Sequence, residues 1–69
     1  MRVQFNTVTY EMSHGRKPRG PGYWGFFFGF STQEADQAWF VQAGSFADAK
    51  KKAKVEAERR GLWYVRVAP

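Results

Sequence analysis

The sequence predicts a small α+β domain, in which one helix packs on one face of a small antiparallel β-sheet in the order β-β-β-α-β. Three segments rich in β-branched and aromatic residues precede one long segment of helical periodicity, and a fourth follows it. Aromatic residues make up 19% of the 69 residues, so large apolar side chains can form a core although no cysteine is present to form disulfides. We therefore expect a single domain across residues 1–69.

The first three strands are predicted from alternation and from the turn residues between them. Arg2–Thr9 alternates polar and apolar residues, which favours a strand with one buried face. Residues 13–22, SHGRKPRGPG, combine Gly, Pro and three cations and are expected to form an exposed, mobile loop. Tyr23–Phe30 and Gln37–Ala43 are the next two strands, on either side of a polar turn at residues 31–36. We expect these three strands to form an antiparallel meander.

The predicted helix has capping signals at both ends. Ser45 is a typical N-cap residue, and Asp48 three positions later completes an approximate capping box at the start of Phe46–Arg60. Gly61 is expected to adopt the left-handed conformation that ends a helix. Leu62–Val67 is again rich in aromatic and β-branched residues and is the final predicted strand.

Helical and strand periodicity assign the two sides of the predicted core. The helix stripe that faces the sheet is made mostly of alanine, so large side chains from the sheet must meet it. The predicted core residues are Phe46, Ala49, Ala53 and Ala57 on the helix, and Val3, Phe5, Trp24, Phe26, Phe28, Phe30, Trp39, Val41, Trp63, Val65 and Val67 on the sheet.

The opposite face of the sheet has no second helix to cover it. We expect this outer face to display Arg2, Gln4, Asn6, Tyr23, Phe27, Phe40, Gln42, Tyr64 and Arg66. Aromatic rings beside arginines and amides are the chemistry on which unpaired bases stack while phosphates meet cations. Two alternatives stay open, because the rings can pack against a second copy of the protein or, after a register shift of one residue, form the core themselves. Gly25 and Gly29 share this face, where they either admit another backbone or a planar ligand, or mark a bend.

The formal net charge of +5 favours polyanionic partners, and many of the cations are concentrated in two places. The first is the loop, where Arg16, Lys17 and Arg19 follow His14. Prolines keep this segment extended, so we expect a narrow ribbon that contacts phosphates or enters a groove. The alternative is a solvated basic loop.

Part of this loop resembles an AT-hook, whose centre is Pro-Arg-Gly-Arg-Pro. Pro18, Arg19 and Gly20 match that pattern, and Pro21 stands where the second arginine would be. The resemblance implies insertion of the loop into the minor groove of A·T-rich DNA.

The second group of cations lies in the first half of the helix, where Lys50, Lys51 and Lys54 are candidates for phosphate contacts. With the alanine stripe they spell Lys-Lys-x-Ala-Lys-x-x-Ala, which resembles the second helix of double-stranded-RNA-binding domains. That family's first helix is not predicted in this chain. The alternative is an ordinary solvated helix face.

A broader resemblance extends from about residue 20 to residue 61. Three strands followed by an alanine-striped helix are similar to the plant ethylene-response-factor domain and to the arm-binding domains of phage and transposon integrases. The matching residues are Trp24-Gly25, Trp39, the turn Gly44-Ser45-Phe46, and Ala49, Ala53 and Ala57. The resemblance implies DNA binding by a sheet laid in the major groove. This chain departs from it in the longer spacing from Trp39 to Gly44, in having no arginine in the second strand, and in its fourth strand.

The sequence favours binding over catalysis. Ser13 and His14 are adjacent, an arrangement that rarely lets a base face a nucleophile, and one histidine without cysteine predicts no metal site. No cofactor is expected. The N-terminal segment has no apolar signal region and the longest aromatic run is too short to span a bilayer, so we expect a cytoplasmic protein without membrane contact.

The sequence therefore predicts a small basic nucleic-acid-binding protein, with DNA favoured over RNA as its partner. The alternative is a homo-oligomeric or protein-interaction factor of the phage or mobile-element type. That factor would use the aromatic side chains of the outer face, Tyr23, Phe27, Phe40 and Tyr64.

Overall fold

A computed structural model of the chain describes residues 3–30, 33–34 and 38–69. It is a small α+β fold, as predicted, and the β-β-β-α-β order of the predicted elements is broadly retained. Its elements are β1 (Gln4–Asn6), α1 (Val8–His14), β2 (Gly22–Phe30), β3 (Gln33–Glu34), β4 (Trp39–Ala43), α2 (Phe46–Arg60) and β5 (Tyr64–Val67). Arg2, residues 31–32 and 35–36 of the predicted turn, and Gln37 lie outside the described residues, and so does the side chain of Phe30.

The long strand β2 is the centre of the sheet. Phe26 pairs with Val67 of β5 on one side and with Trp39 of β4 on the other, and both ladders are antiparallel. Gly29 likewise lies between β5 and β3. The short strands β3 and β4 therefore follow one another along the same edge of β2, and the sheet is four strands wide.

The predicted antiparallel meander is confirmed for β2 and β4, which pair antiparallel, but it is wrong for β1. β1 does not pair with β2 but with β5, to which it is parallel, in a register that sets Gln4 opposite Tyr64 and Asn6 opposite Arg66. Inserting β5 between β1 and β2 makes the sheet mixed. Alternation along a strand decides which side chains face the core, but it carries no information about which strand lies beside it.

The helix α1 was not predicted, because Val8 and Thr9 are β-branched and continue the alternation of the strand before them. Local hydrogen bonds begin a helix here instead: Asn6 Oδ1 accepts from the Val8 backbone N–H at 2.9 Å, and the Thr7 hydroxyl donates to the Glu11 carboxylate. Gly15, in the left-handed conformation, ends it. Ser13 and His14 thus belong to this helix, and the loop begins only after them.

The helix α2 has the predicted bounds, with Ser45 as its N-cap and Gly61 as its C-cap, and of the predicted capping box the structure shows the half made by the Ser45 side chain. Ser45 Oγ accepts a hydrogen bond from the Asp48 backbone N–H at 3.2 Å, which satisfies one of the free donors of the first turn. Gly61 has a φ of 72° and its N–H donates to the carbonyls of the last turn. The strand that follows begins at Tyr64, two residues later than expected.

The core lies between the sheet and α2, and its assignment from alternation is largely confirmed. Trp24, Phe26, Phe28, Val65, Val67, Ala49, Ala53 and Ala57 are buried, and Val3, Phe5, Trp39, Val41 and Phe46 pack against them. Tyr10, Ala43 and Leu62 join this core, while Trp63 is half-buried. The alternative register is excluded, because the outer-face rings of Tyr23 and Phe40 are exposed.

Candidate functional site

A cleft opens at the edge of the sheet where β5 ends. β5 pairs with β2 only from Phe26 to Gly29, and one further hydrogen bond follows, from the Ala68 N–H to the Gly25 carbonyl at 2.8 Å. Beyond it, no described strand covers this side of β2. The helix α1, the loop after it and the residues that follow β5 surround a space of about 310 Å³. We call this space the basic cleft, and the residues of interest that line it are Tyr10, His14, Arg16, Arg19, Tyr23 and Phe40.

Aromatic packing holds one wall of the basic cleft in place. The rings of Tyr10 and His14 are stacked with centroids 4.0 Å apart, and Tyr10 in turn packs against Trp24 at 5.4 Å. Tyr10 is buried, so it anchors α1 and orients the exposed imidazole of His14. His14 therefore faces the cleft from the last residue of α1, and not from the loop in which it was predicted.

The loop is folded back onto the sheet. Gly15 turns the chain away from α1, and the Trp24 indole N–H donates to the Gly20 carbonyl at 3.1 Å. This bond fixes the second half of the loop beside β2, so that Arg16 and Arg19 lie at the rim of the basic cleft with their side chains exposed. Among the described residues, no Asp or Glu lines the cleft, so its two arginines meet no acidic side chain there. Lys17 is exposed in the same loop but does not line the cleft.

Two exposed aromatic rings border the basic cleft on the outer face. Tyr23 is 74% exposed and Phe40 is 63% exposed. Phe40 stands opposite Gly25, and Tyr23 is two residues further along β2, which makes the two rings diagonal neighbours. Rings and arginines therefore share one opening.

Gly25 has a structural reason to lack a side chain. A Cβ atom there would lie 2.8 Å from Cε1 of Phe40 and 3.2 Å from Cβ of Ala68. The sequence suggested that Gly25 admits another backbone or a planar ligand, and in the structure the group that lies over it is the Phe40 ring of the same chain. The arrangement is the known device in which an aromatic side chain covers a glycine on the neighbouring strand.

The remaining residues of the outer face lie further along the sheet. Arg66 is paired across the ladder with Phe27, and its guanidinium carbon lies 4.4 Å from the centre of that ring. The Asn6 amide donates to the Tyr64 hydroxyl at 3.2 Å. The predicted outer face therefore exists, but Phe27, Tyr64 and Arg66 do not line the basic cleft.

The lysines of α2 are on the other side of the sheet. The helix packs on the face of Trp24, Phe26 and Phe28, which is opposite to the face on which Tyr23 lies. Lys52 reaches the edge strand β4, where its Nζ donates to the Gln42 carbonyl at 3.4 Å. Lys50, Lys51 and Lys54 are exposed, and Lys50 Nζ lies 5.1 Å from the centre of the Phe5 ring. Lys50 lines a separate pocket together with Arg19, so one helix lysine lies near the loop, but none of these three lysines lines the basic cleft.

At the end of α2 two arginines are engaged within the helix. Glu56 accepts hydrogen bonds from Arg59 Nε at 3.1 Å and from Arg60 Nε at 2.6 Å. The hydrogen bonds from Arg59 and then Arg60 lower the pKa of the Glu56 carboxyl from 4.5 to about 2, and the same contact raises the pKa of Arg59. This cluster is structural and lies apart from the basic cleft.

The structure thus brings together five of the predicted residues, His14, Arg16, Arg19, Tyr23 and Phe40. Sequence reasoning missed Tyr10, although its spacing of four from His14 is that of ring neighbours on a helix. In the part of the chain that the structure describes, no helix is long and apolar enough to cross a membrane. Comparisons with protein-family models, curated proteins and solved structures found no significant match to this chain.

Proposed function

We propose that this protein binds nucleic acid, with DNA as its partner, and that the basic cleft makes the contact. The observation that carries the proposal is the convergence of Arg16, Arg19 and His14 with the exposed rings of Tyr23 and Phe40 around one opening. Phosphates require cations and bases offer flat apolar faces, so a nucleotide is complementary to both halves of this lining. The net charge of +5 acts in the same direction, because it attracts any polyanion at long range.

The choice of DNA rests on the sequence. In its residues the Pro18-Arg19-Gly20 segment resembles the centre of an AT-hook, although the loop is folded back onto the sheet. Strands β2 and β4 with α2 resemble part of the sheet-plus-helix DNA-binding domains, although β1 pairs with β5 and not with β2. Both resemblances involve DNA, whereas the resemblance to RNA-binding domains rests on the lysines and alanines of α2, although the structure does place a helix, α1, before β2. Those lysines lie across the sheet from Tyr23 and contribute at most additional phosphate contacts.

A second candidate function is self-association through the outer face. Tyr23 and Phe40 are among the most exposed large apolar side chains of the described residues and are adjacent to each other. Such rings are common at the centre of protein interfaces. Sedimentation over a range of concentrations tests it, and a monomer at every concentration contradicts it.

The test of nucleic-acid binding removes the two arginines of the cleft. Arg16→Gln/Arg19→Gln should weaken binding of a fluorescent DNA oligonucleotide at low salt by about a hundredfold or more, since each of the two charge-assisted contacts is worth about 1.5–3 kcal/mol. The measurement is fluorescence anisotropy, with circular dichroism to confirm that the variant is folded.

The matched control is Lys52→Gln/Arg59→Gln, which removes the same charge from two residues of α2 that do not line the basic cleft. Because Arg59 pairs with Glu56, circular dichroism is also used to confirm that the control is folded. Its affinity should stay close to that of the wild type. If the two double variants lose affinity equally, the contact is not in the cleft. If neither single-stranded nor duplex DNA binds at low salt, the proposed function is wrong.

A further inference from the structure

The exposed rings at the basic cleft favour unpaired bases over a duplex as the ligand. Tyr23 projects from an exposed position of β2 beside the cleft, with three quarters of its surface in solvent. In a duplex the flat faces of the bases are covered by their neighbours, so an exposed ring on a protein surface has no base face to stack on. An unpaired base offers that face, and every base has one.

The backbone at the same place has unused hydrogen-bonding groups. The Gly25 carbonyl points toward β5, since it accepts from Ala68, and groups two residues apart in an antiparallel ladder point to the same side. The N–H and C=O of Tyr23 therefore face the basic cleft, beyond the last residue of β5, where no described strand pairs with them. The Watson–Crick edge of an unpaired base also carries donors and acceptors, so it can form hydrogen bonds with this N–H and C=O.

The loop is not an arm that reaches outward. Its second half is held against the sheet by the bond from the Trp24 indole to the Gly20 carbonyl, and Pro18, Arg19 and Gly20 lie beside the first turn of α2. Arg16 and Arg19 line the basic cleft together with the rings of Tyr23 and Phe40. Insertion of the loop into a narrow groove of a duplex would require an extended segment that is free of the sheet. Cations beside exposed rings instead suit a single nucleic-acid strand whose bases turn toward the protein.

From these three features we infer that the basic cleft binds an unpaired nucleotide of single-stranded DNA, stacking its base on Tyr23 and holding its phosphate at Arg16 and Arg19. The inference rests on the proposed function and adds the form of the ligand and the residue on which the base stacks. The volume of the cleft, about 310 Å³, is at the lower end of the range for small-ligand pockets, which fits one nucleotide better than a longer folded segment.

The experiment compares three labelled ligands of one sequence: a DNA strand of about ten nucleotides, within the usual site size for such surfaces, its duplex, and the RNA strand. Wild-type protein should bind the DNA strand about tenfold more tightly than the duplex. Tyr23→Leu should reduce affinity for the strand by about tenfold, because stacking is lost, and should leave duplex binding unchanged. Tyr23→Phe keeps the ring and should bind like the wild type.

The outcomes separate this inference from the proposed function. If the duplex binds as tightly as the strand, or if Tyr23→Leu binds the strand like the wild type while Arg16→Gln/Arg19→Gln weakens it, the inference is overturned and the proposed function stands. Tighter binding of the RNA strand replaces DNA by RNA as the partner. If no ligand binds the wild type, both are wrong. Circular dichroism of each variant checks that it is folded.

Discussion

At the scale of single residues, the contact between Gly25 and Phe40 decides the shape of the outer face. The ring of Phe40 lies over the glycine, and the cross-strand pairing of the two residues brings it there. A side chain at residue 25 would overlap this ring and displace it at the basic cleft, which both residues line. The glycine thus serves packing within the chain and also keeps the opening beside Tyr23 accessible.

Gly25→Ala is expected to lower the free energy of unfolding by about 1 kcal/mol, because the new Cβ overlaps Cε1 of Phe40 and crowds Ala68. Urea denaturation measures the change. The cost should shrink in a Phe40→Ala background, since the ring that is displaced is then absent. Equal costs in both backgrounds would show that Phe40 is not the obstacle.

At the scale of elements, α2 is stabilised at its ends as well as along its buried stripe. Besides the Ser45 and Gly61 caps, Glu56 receives hydrogen bonds from both arginines of the last turn, and Arg60 also lies over the ring of Phe28, with its guanidinium carbon 4.9 Å from the ring centre. Phe28 is almost fully buried, so this arginine covers an end of the core. The carboxyl of Glu56 holds that arrangement together.

The Glu56 cluster predicts a dependence of stability on pH. Because the pKa of Glu56 is lowered from 4.5 to about 2 in the folded state, its contribution is complete above pH 4.5 and is lost as the pH falls toward 2. Glu56→Gln should therefore lower the melting temperature at pH 7 and differ little from the wild type near pH 2. Melting followed by circular dichroism at a series of pH values measures this. A constant difference across the series contradicts it.

The elements also show how far sequence reasoning reaches. Ser45 and Gly61 predict both ends of α2 because caps are local, and the alternation of Trp24, Phe26 and Phe28 predicts the buried face because it depends only on strand geometry. The helix α1 could not be predicted in this way. Its first two residues, Val8 and Thr9, are β-branched, and it is held by the burial of Tyr10 against Trp24, a contact that exists only after the sheet has formed.

At the scale of the whole molecule, the cations are divided among two faces and one edge. The lysines of α2 lie on one side of the sheet, Arg66 on the other, and Arg16 and Arg19 at the edge between them. Sequence reasoning nominated all of these residues, but it could not say which of them meet. That depends on where β5 ends and leaves the side of β2 uncovered, which is a property of strand pairing.

This distribution predicts the salt dependence of binding. If Arg16 and Arg19 each neutralise one phosphate of a single strand, the slope of log affinity against log salt should decrease in magnitude by about 1.4 in Arg16→Gln/Arg19→Gln. Anisotropy titrations at several salt concentrations measure the slope. The control Lys52→Gln/Arg59→Gln should retain the wild-type slope, and an unchanged slope in the cleft variant would mean that these arginines do not contact phosphates.

The position of β5 in the middle of the sheet also has a consequence for how the chain is made. Residues 64–67 pair with both β1 and β2, so the sheet cannot close until they have left the ribosome. Before that, β1 has no partner strand, and Phe26 and Phe28 are missing the neighbours from β5 that complete their burial. Folding must wait for translation to reach this last strand, and closing contacts between such distant residues makes it slow compared with a helical protein of the same length.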